Sequence, residues 1–143
     1  MPVPRMTPTP RVAASSVASL ELDPSRDFTA VEGTALATRG RVTWRNADWS
    51  AFTGVWECDP GRFRATFDDH GEFVHVVSGE VECVGDDGDR FVLGPGDTMT
   101  FPQGWTGEWH VRTMLRKVYA AFPTGASAPA TGEPGGQGQE ERG

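Results

Sequence analysis

At 143 residues, with 20 acidic and 13 basic side chains, the chain carries a net charge of −7, which speaks against a nucleic-acid partner, since that needs a concentrated cationic surface. No apolar run approaches the roughly 18 residues of a membrane span, so no membrane partner is expected either. Cys58 and Cys83 lack CxxC spacing, are too few for a disulfide framework, and read as reduced thiols of a cytoplasmic protein.

Residues 1–20 are rich in Pro, Ser and Thr. Their most apolar part, Val12 to Leu20, holds three serines behind only Arg5 and Arg11. That makes a poor signal peptide and a disordered lead-in. Residues 123–143, "PTGASAPATGEPGGQGQEERG", contain no aromatic or large aliphatic side chain, so nothing offsets their ordering entropy and disorder is expected there too. Between these ends lies one domain, residues 21–122, large enough for a modest core.

Residues 21–35 leave room for one short helix; from there on the texture is that of strands. "VTWRNADWSAFTGVWEC" gives two apolar stretches broken by the turn signal Asn46-Ala47-Asp48. "GRFRATF" alternates, with Phe63, Ala65 and Phe67 on one face and Arg62, Arg64 and Thr66 on the other. "EFVHVV" is mostly apolar, as expected of a strand covered on both faces, and "VVSGEVEC" reads as a turn between two strands. "DDGD" at 86–89 leads into the strand "RFVL"; "GPGD" at 94–97 turns into "TMTF"; "PQG" turns again; "GEWHV" and "RKVYAAF" close the chain as two further strands. "GPGD" lacks the Lys-Ser/Thr and following helix of a phosphate loop. Many short strands punctuated by Gly and Pro predict an antiparallel all-β sandwich, barrel or jelly roll.

Two spacings narrow the fold. "GPGDTMTFPQG" sets Gly96 five residues before Pro102, with Gly104 one residue further, and Glu72 precedes Gly79 by six intervening residues. Both resemble the two motifs of the cupins. A narrower pattern, Gly54/Trp56/Glu57, Gly107/Trp109 and Arg116/Lys117/Tyr119, resembles the small single-domain cupins related to the cupin domain of ureidoglycine aminohydrolase. The resemblance implies a double-stranded β-helix (jelly-roll) barrel, a homodimer, and a small-molecule pocket in the barrel mouth.

Metal-binding cupins supply a His-x-His pair, a Glu and a third His. Counted back from Glu72, the pair falls on Thr66 and Asp68; counted forward from Gly61, on Phe67 and Asp69; the third His falls on Gly107. Only Glu72 survives. His70 lies in the Asp-Asp-His-Gly turn, where side chains usually face solvent, His75 sits on the strand face opposite Glu72, and His110 is ambiguous. No metal and no cofactor is therefore expected, although His70 or His75 with Glu72 and Asp68 or Asp69 would make a non-standard ligand set.

The remaining pocket chemistry centres on Glu72, whose pKa should rise in apolar surroundings and make it a general acid or base. Lys117 and Tyr119 alternate on the last strand and join it if that face is the lumen. Trp56, Phe101, Trp105 and Trp109 are the candidate aromatic wall, and Arg64 and Thr66 are candidates for binding a carboxylate. The leading expectation is a cupin that binds a small molecule, with metal-independent isomerase, cyclase, lyase or hydrolase chemistry if it is an enzyme. The rivals are a non-catalytic ligand-binding or regulatory module, a metal-dependent aminohydrolase-like or dioxygenase-like enzyme, and a purely structural dimerisation module.

Overall fold

The computed structural model describes residues 10–123; residues 1–9 and 124–143, most of the expected disordered ends, lie outside the described residues. A 3-10 turn at Val17–Ser19 is followed by ten strands: β1 (Asp23–Pro24), β2 (Phe28–Thr29), β3 (Ala35–Leu36), β4 (Thr38–Arg45), β5 (Phe52–Cys58), β6 (Gly61–Thr66), β7 (Gly71–Gly85), β8 (Arg90–Leu93), β9 (Thr98–Phe101) and β10 (Thr106–Phe122). Where one short helix had room, residues 21–35 instead form the short strands β1 and β2 and the start of β3. Among the described residues no helix is long and apolar enough to cross a membrane.

All the pairings are antiparallel, and two long strands organise them. Residues 115–121 of β10 pair with β5, and its end from Lys117 pairs with the first half of β7, which also holds β9. Residues 106–111 of β10 pair with β6 and with the second half of β7, which holds β8. Strands β7 and β10 thus run through both layers of a jelly roll. One layer is β1-β4-β5-β10-β7-β9 and the other β6-β10-β7-β8.

This corrects the expected strand count. "VVSGEVEC" is not a hairpin turn and "GEWHV" and "RKVYAAF" are not separate strands; each pair is fused into one bent strand. The bend is at Gly79, whose φ of +87° is left-handed and whose missing side chain lets the Met114–Leu115 backbone approach closely. Register shifts between Val111 and Lys117 absorb the kink without ending the ladder.

The alternation expected of "GRFRATF" is observed, with Phe63 and Ala65 buried and Arg62, Arg64 and Thr66 exposed. "EFVHVV" differs from expectation. It is covered on one face only, with Glu72, Val74 and Val76 buried and Phe73 and His75 exposed. The inward residues, among them Phe101, Leu115, Val76, Val81 and Val111, form one core, each contributing about 1.5–3 kcal/mol by burial. Arg116, itself buried, ties down the described part of the lead-in: Nη1 donates to the carbonyls of Val17 (3.0 Å) and Leu20 (2.9 Å), and Nε to Glu57 (3.2 Å).

Candidate functional site

The barrel holds a cavity of about 550 Å³, within the size range of small-molecule sites. At its wall stand Lys117 and Glu72, from neighbouring strands, joined by a buried ion pair in which Lys117 Nζ donates to Glu72 Oε2. The same ammonium lies 4.6 Å from the Trp56 ring centroid and 4.7 Å from that of Trp109. An ammonium removed from water needs such compensation: one carboxylate and two aromatic faces supply it. Strand alternation is what places them. Lys117 and Tyr119 share the inward face of β10, and Trp56 lies opposite Lys117 on β5. The last strand therefore presents both of its candidate residues to the cavity.

His70 is the largest surprise. The Asp-Asp-His-Gly turn was expected to leave it in solvent, yet it lines the cavity. Its Nε2 is 3.9 Å from Glu72 Oε1, and Asp69 Oδ1 is 2.6 Å from its Nδ1. A signal was present, since positions 70 and 72 share a face as the chain enters β7. His70 has its pKa raised, first by Glu72, against the opposing effect of partial burial, and further by Asp69. At 3.9 Å its tie to Glu72 is charge attraction rather than a hydrogen bond.

The expected rise in the Glu72 pKa is corrected as well. Burial alone would raise it, but the Lys117 charge and the contacts from His70 and Lys117 outweigh burial and hold it below the usual carboxylate range. Tyr119 is pushed up to about 12 by burial and by the Glu72 charge, so it stays a neutral phenol. Burial, aided by neighbouring Asp59, pushes the Cys58 thiol to about 12, and burial does the same to Cys83. Neither thiol is activated.

The other candidates divide. Trp56, Trp109, Arg64 and Thr66 line the cavity. The Arg64 side chain, however, leaves on the outer face, where Nη1 donates to Asp86 Oδ1 at 2.8 Å. Phe101 and Trp105 stand behind the wall. Phe101 is wholly buried, stacked on Phe67 at 5.1 Å, with Trp105 edge-on to it at 5.0 Å. Sequence reasoning did not single out Arg26, Phe28 or Phe52, which also line the cavity. Arg26 and Phe28 come from a segment with no motif, and only the tertiary fold lays it over the barrel.

Cupins are known for bound metals, and the donor set tests whether one fits here. Among the described residues no three His, Cys, Asp or Glu side chains converge as a ligand group. The one inherited ligand, Glu72, is held by a cation, Lys117. At Gly107, where the third histidine would stand, an added Cβ would meet the Trp105 ring at 2.5 Å, so no side chain fits. His75 and His110 are exposed. The residues present do not suit the usual cupin metal.

A pH dependence follows from His70. A histidine with a raised folded-state pKa stabilises the fold below its unfolded value of about 6.5, and this is lost as pH rises through the folded value. Between pH about 6 and about 8, urea midpoints of the wild type should fall relative to those of His70→Gln. Parallel profiles would show that His70 is not coupled to Glu72 and Asp69.

Residues 45–119 match the family model described as "EutQ-like cupin domain". No curated protein matches the chain by sequence. Among solved structures, the chain is similar to a protein of unknown function of the DUF861 family from Pseudomonas syringae pv. tomato: 21% identity, TM-score 0.65, 72% of this chain and 45% of that one. It is similar to the EutQ protein of Clostridium difficile, at 19% identity and TM-score 0.53, covering 62% of this chain and 64% of that one. It is also similar to the polyketide cyclase RemF of Streptomyces resistomycificus, at 19% identity and TM-score 0.55, covering 78% and 77%. The chain thus spans less than half of the Pseudomonas protein and about two thirds of the Clostridium one. At these identities the likeness establishes the fold. The narrower likeness to the ureidoglycine aminohydrolase domain rests on the residue pattern alone.

Proposed function

This chain belongs to the EutQ-like cupin domain family, and from that premise we propose that it binds a small molecule in its barrel and transfers protons on it with Glu72, His70 and Tyr119. The observation that carries the reading is the buried Lys117–Glu72 pair set in the wall of an open, aromatic-lined cavity. A pair needed only for stability would sit as well in the sealed core, where apolar residues of similar volume are often as stable.

The three groups differ in protonation. Glu72 is a carboxylate, Tyr119 is a neutral phenol, and His70 is the group whose charge changes nearest neutrality. Glu72 accepts a proton from an acidic C–H or N–H of the ligand. Tyr119 or protonated His70 donates one to an oxygen or leaving group, and Lys117 holds developing negative charge. Isomerisation, cyclisation, elimination and hydrolysis all use this set. The Trp109 indole N–H supports a ligand here too. It is buried without a hydrogen-bond partner among the described residues, which costs about 1–3 kcal/mol unless an acceptor reaches it.

The test starts from a calorimetric screen of small polar and aromatic compounds, with turnover of each hit followed in wild type and Glu72→Gln. Glutamine keeps the side-chain shape and removes the base. Turnover should fall about 100-fold or more, with affinity nearly unchanged. Unchanged turnover would remove the acid/base role. Tight ligands with no turnover would favour the second reading, a non-catalytic binding module, which the engagement of Glu72 by Lys117 also supports.

A further inference from the structure

The cavity's charges are not balanced, and the imbalance says what the ligand carries. Four cationic residues line it, Arg26, Arg64, His70 and Lys117, although the Arg64 side chain turns to the outer face. Lys117 is held by Glu72, Arg64 by Asp86, and His70 by Asp69. Arg26 alone among them forms no ion pair among the described residues, in a chain whose acidic side chains outnumber its basic ones by seven. Its guanidinium lies 5.6 Å from the Phe28 ring centroid, an aromatic contact that steadies the group while leaving its N–H donors without a carboxylate.

From Arg26 a row of contacts leads inward. Phe28 is 5.8 Å from Trp56, centroid to centroid, and Trp56 is 4.6 Å from Lys117 Nζ. Phe28 also meets Phe63 edge-on at 4.9 Å. An unpartnered guanidinium at the exposed end, flat apolar rings between, and the ion pair at the inner end describe one elongated binding track. Arg26 and Phe28 lie ahead of residues 45–119 that match the family, so the outer end of the track falls outside the matched segment and its inner end within it.

Resting on the ligand-binding reading above, we infer that Arg26 is a specificity-determining residue that takes a carboxylate on the outer end of a planar, apolar-bodied ligand. A guanidinium and a carboxylate form a bidentate, charge-assisted pair, and one unbalanced positive charge calls for one negative charge. The body lies along Phe28 and Trp56, and the end opposite the carboxylate meets Lys117 and Glu72.

The experiment uses two near-isosteric probes, 2-naphthoate and 2-naphthamide, titrated calorimetrically into the full chain. The wild type should bind the carboxylate about tenfold tighter than the amide, the share of a charge-assisted hydrogen bond in a partly enclosed site. Arg26→Gln should bring the carboxylate down to the amide's affinity and leave the amide unchanged. Arg26 is exposed, so the variant should unfold in urea at the wild-type midpoint. Binding of both probes without preference in the wild type, or a preference that survives Arg26→Gln, overturns the role of Arg26 and leaves the pocket reading standing. No binding of either probe overturns both.

Discussion

Replacing Lys117 by methionine is expected to lower folding stability by about 3–5 kcal/mol, because it leaves the Glu72 carboxylate buried and unpaired. The Lys117 side chain is 6% exposed and that of Glu72 10%, so water from the cavity compensates for the lost partner only in part. His70 is too far away, at 3.9 Å, to take over the hydrogen bond. Two further results distinguish this cause from lost packing. In Lys117→Met the carboxyl would no longer be held low and burial would raise its pKa, so the deficit should shrink as pH falls and Glu72 is protonated. The double variant Lys117→Met/Glu72→Leu, with no charge left to bury, should regain most of the loss. Urea unfolding of the single and double variants at two pH values measures all of this. A double variant as unstable as the single one would show that the two residues act through packing rather than as a charge pair.

Gly79→Ala is expected to cost about as much, roughly 3–5 kcal/mol, for a backbone reason. The residue sits at φ +87°, and an added Cβ would fall against the Met114 carbonyl and within 2.8 Å of Leu115 Cα. Both are main-chain atoms of the long strand opposite and cannot rotate away. The loop residue Gly88 has a similar φ of +91° with nothing near its absent Cβ. Gly88→Ala should therefore lose only the conformational share, about 1–2 kcal/mol. Equal losses at the two positions, read from urea midpoints, would show that the close approach at Gly79 is unimportant.

Gly79 also shows how far the chain could be read. The spacing from Glu72 to Gly79 marked the right place and the right fold, yet the local pattern of small and polar residues suggested a hairpin. A turn and a bend look alike in one dimension. What separates them is a partner strand that stays hydrogen-bonded through the kink, and that partner, β10, lies some 30 residues on.

The same division holds for the site. Glu72, Lys117, Tyr119, Trp56 and Trp109 were legible because alternation and motif spacing are local, and alternation puts Lys117 and Tyr119 on one face whichever way it points. Choosing the lumen over the outside needed the pairing of β10 with β5 and β7. His70 was placed in solvent, yet the turn returns its ring to the barrel beside Glu72. Arg26 and Phe28 carry no pattern, and join the site because the segment before β3 folds across the cavity.

By itself, then, the sequence determined the all-β class, the two cupin spacings, the empty histidine positions and a pocket carboxylate. All follow from residue type, period and interval along the chain. The tertiary structure decided that Glu72 is held as a carboxylate rather than raised towards the acid form. Burial and a neighbouring cation push its pKa in opposite directions, and the balance depends on Lys117, a residue 45 positions away that only the strand register brings into contact.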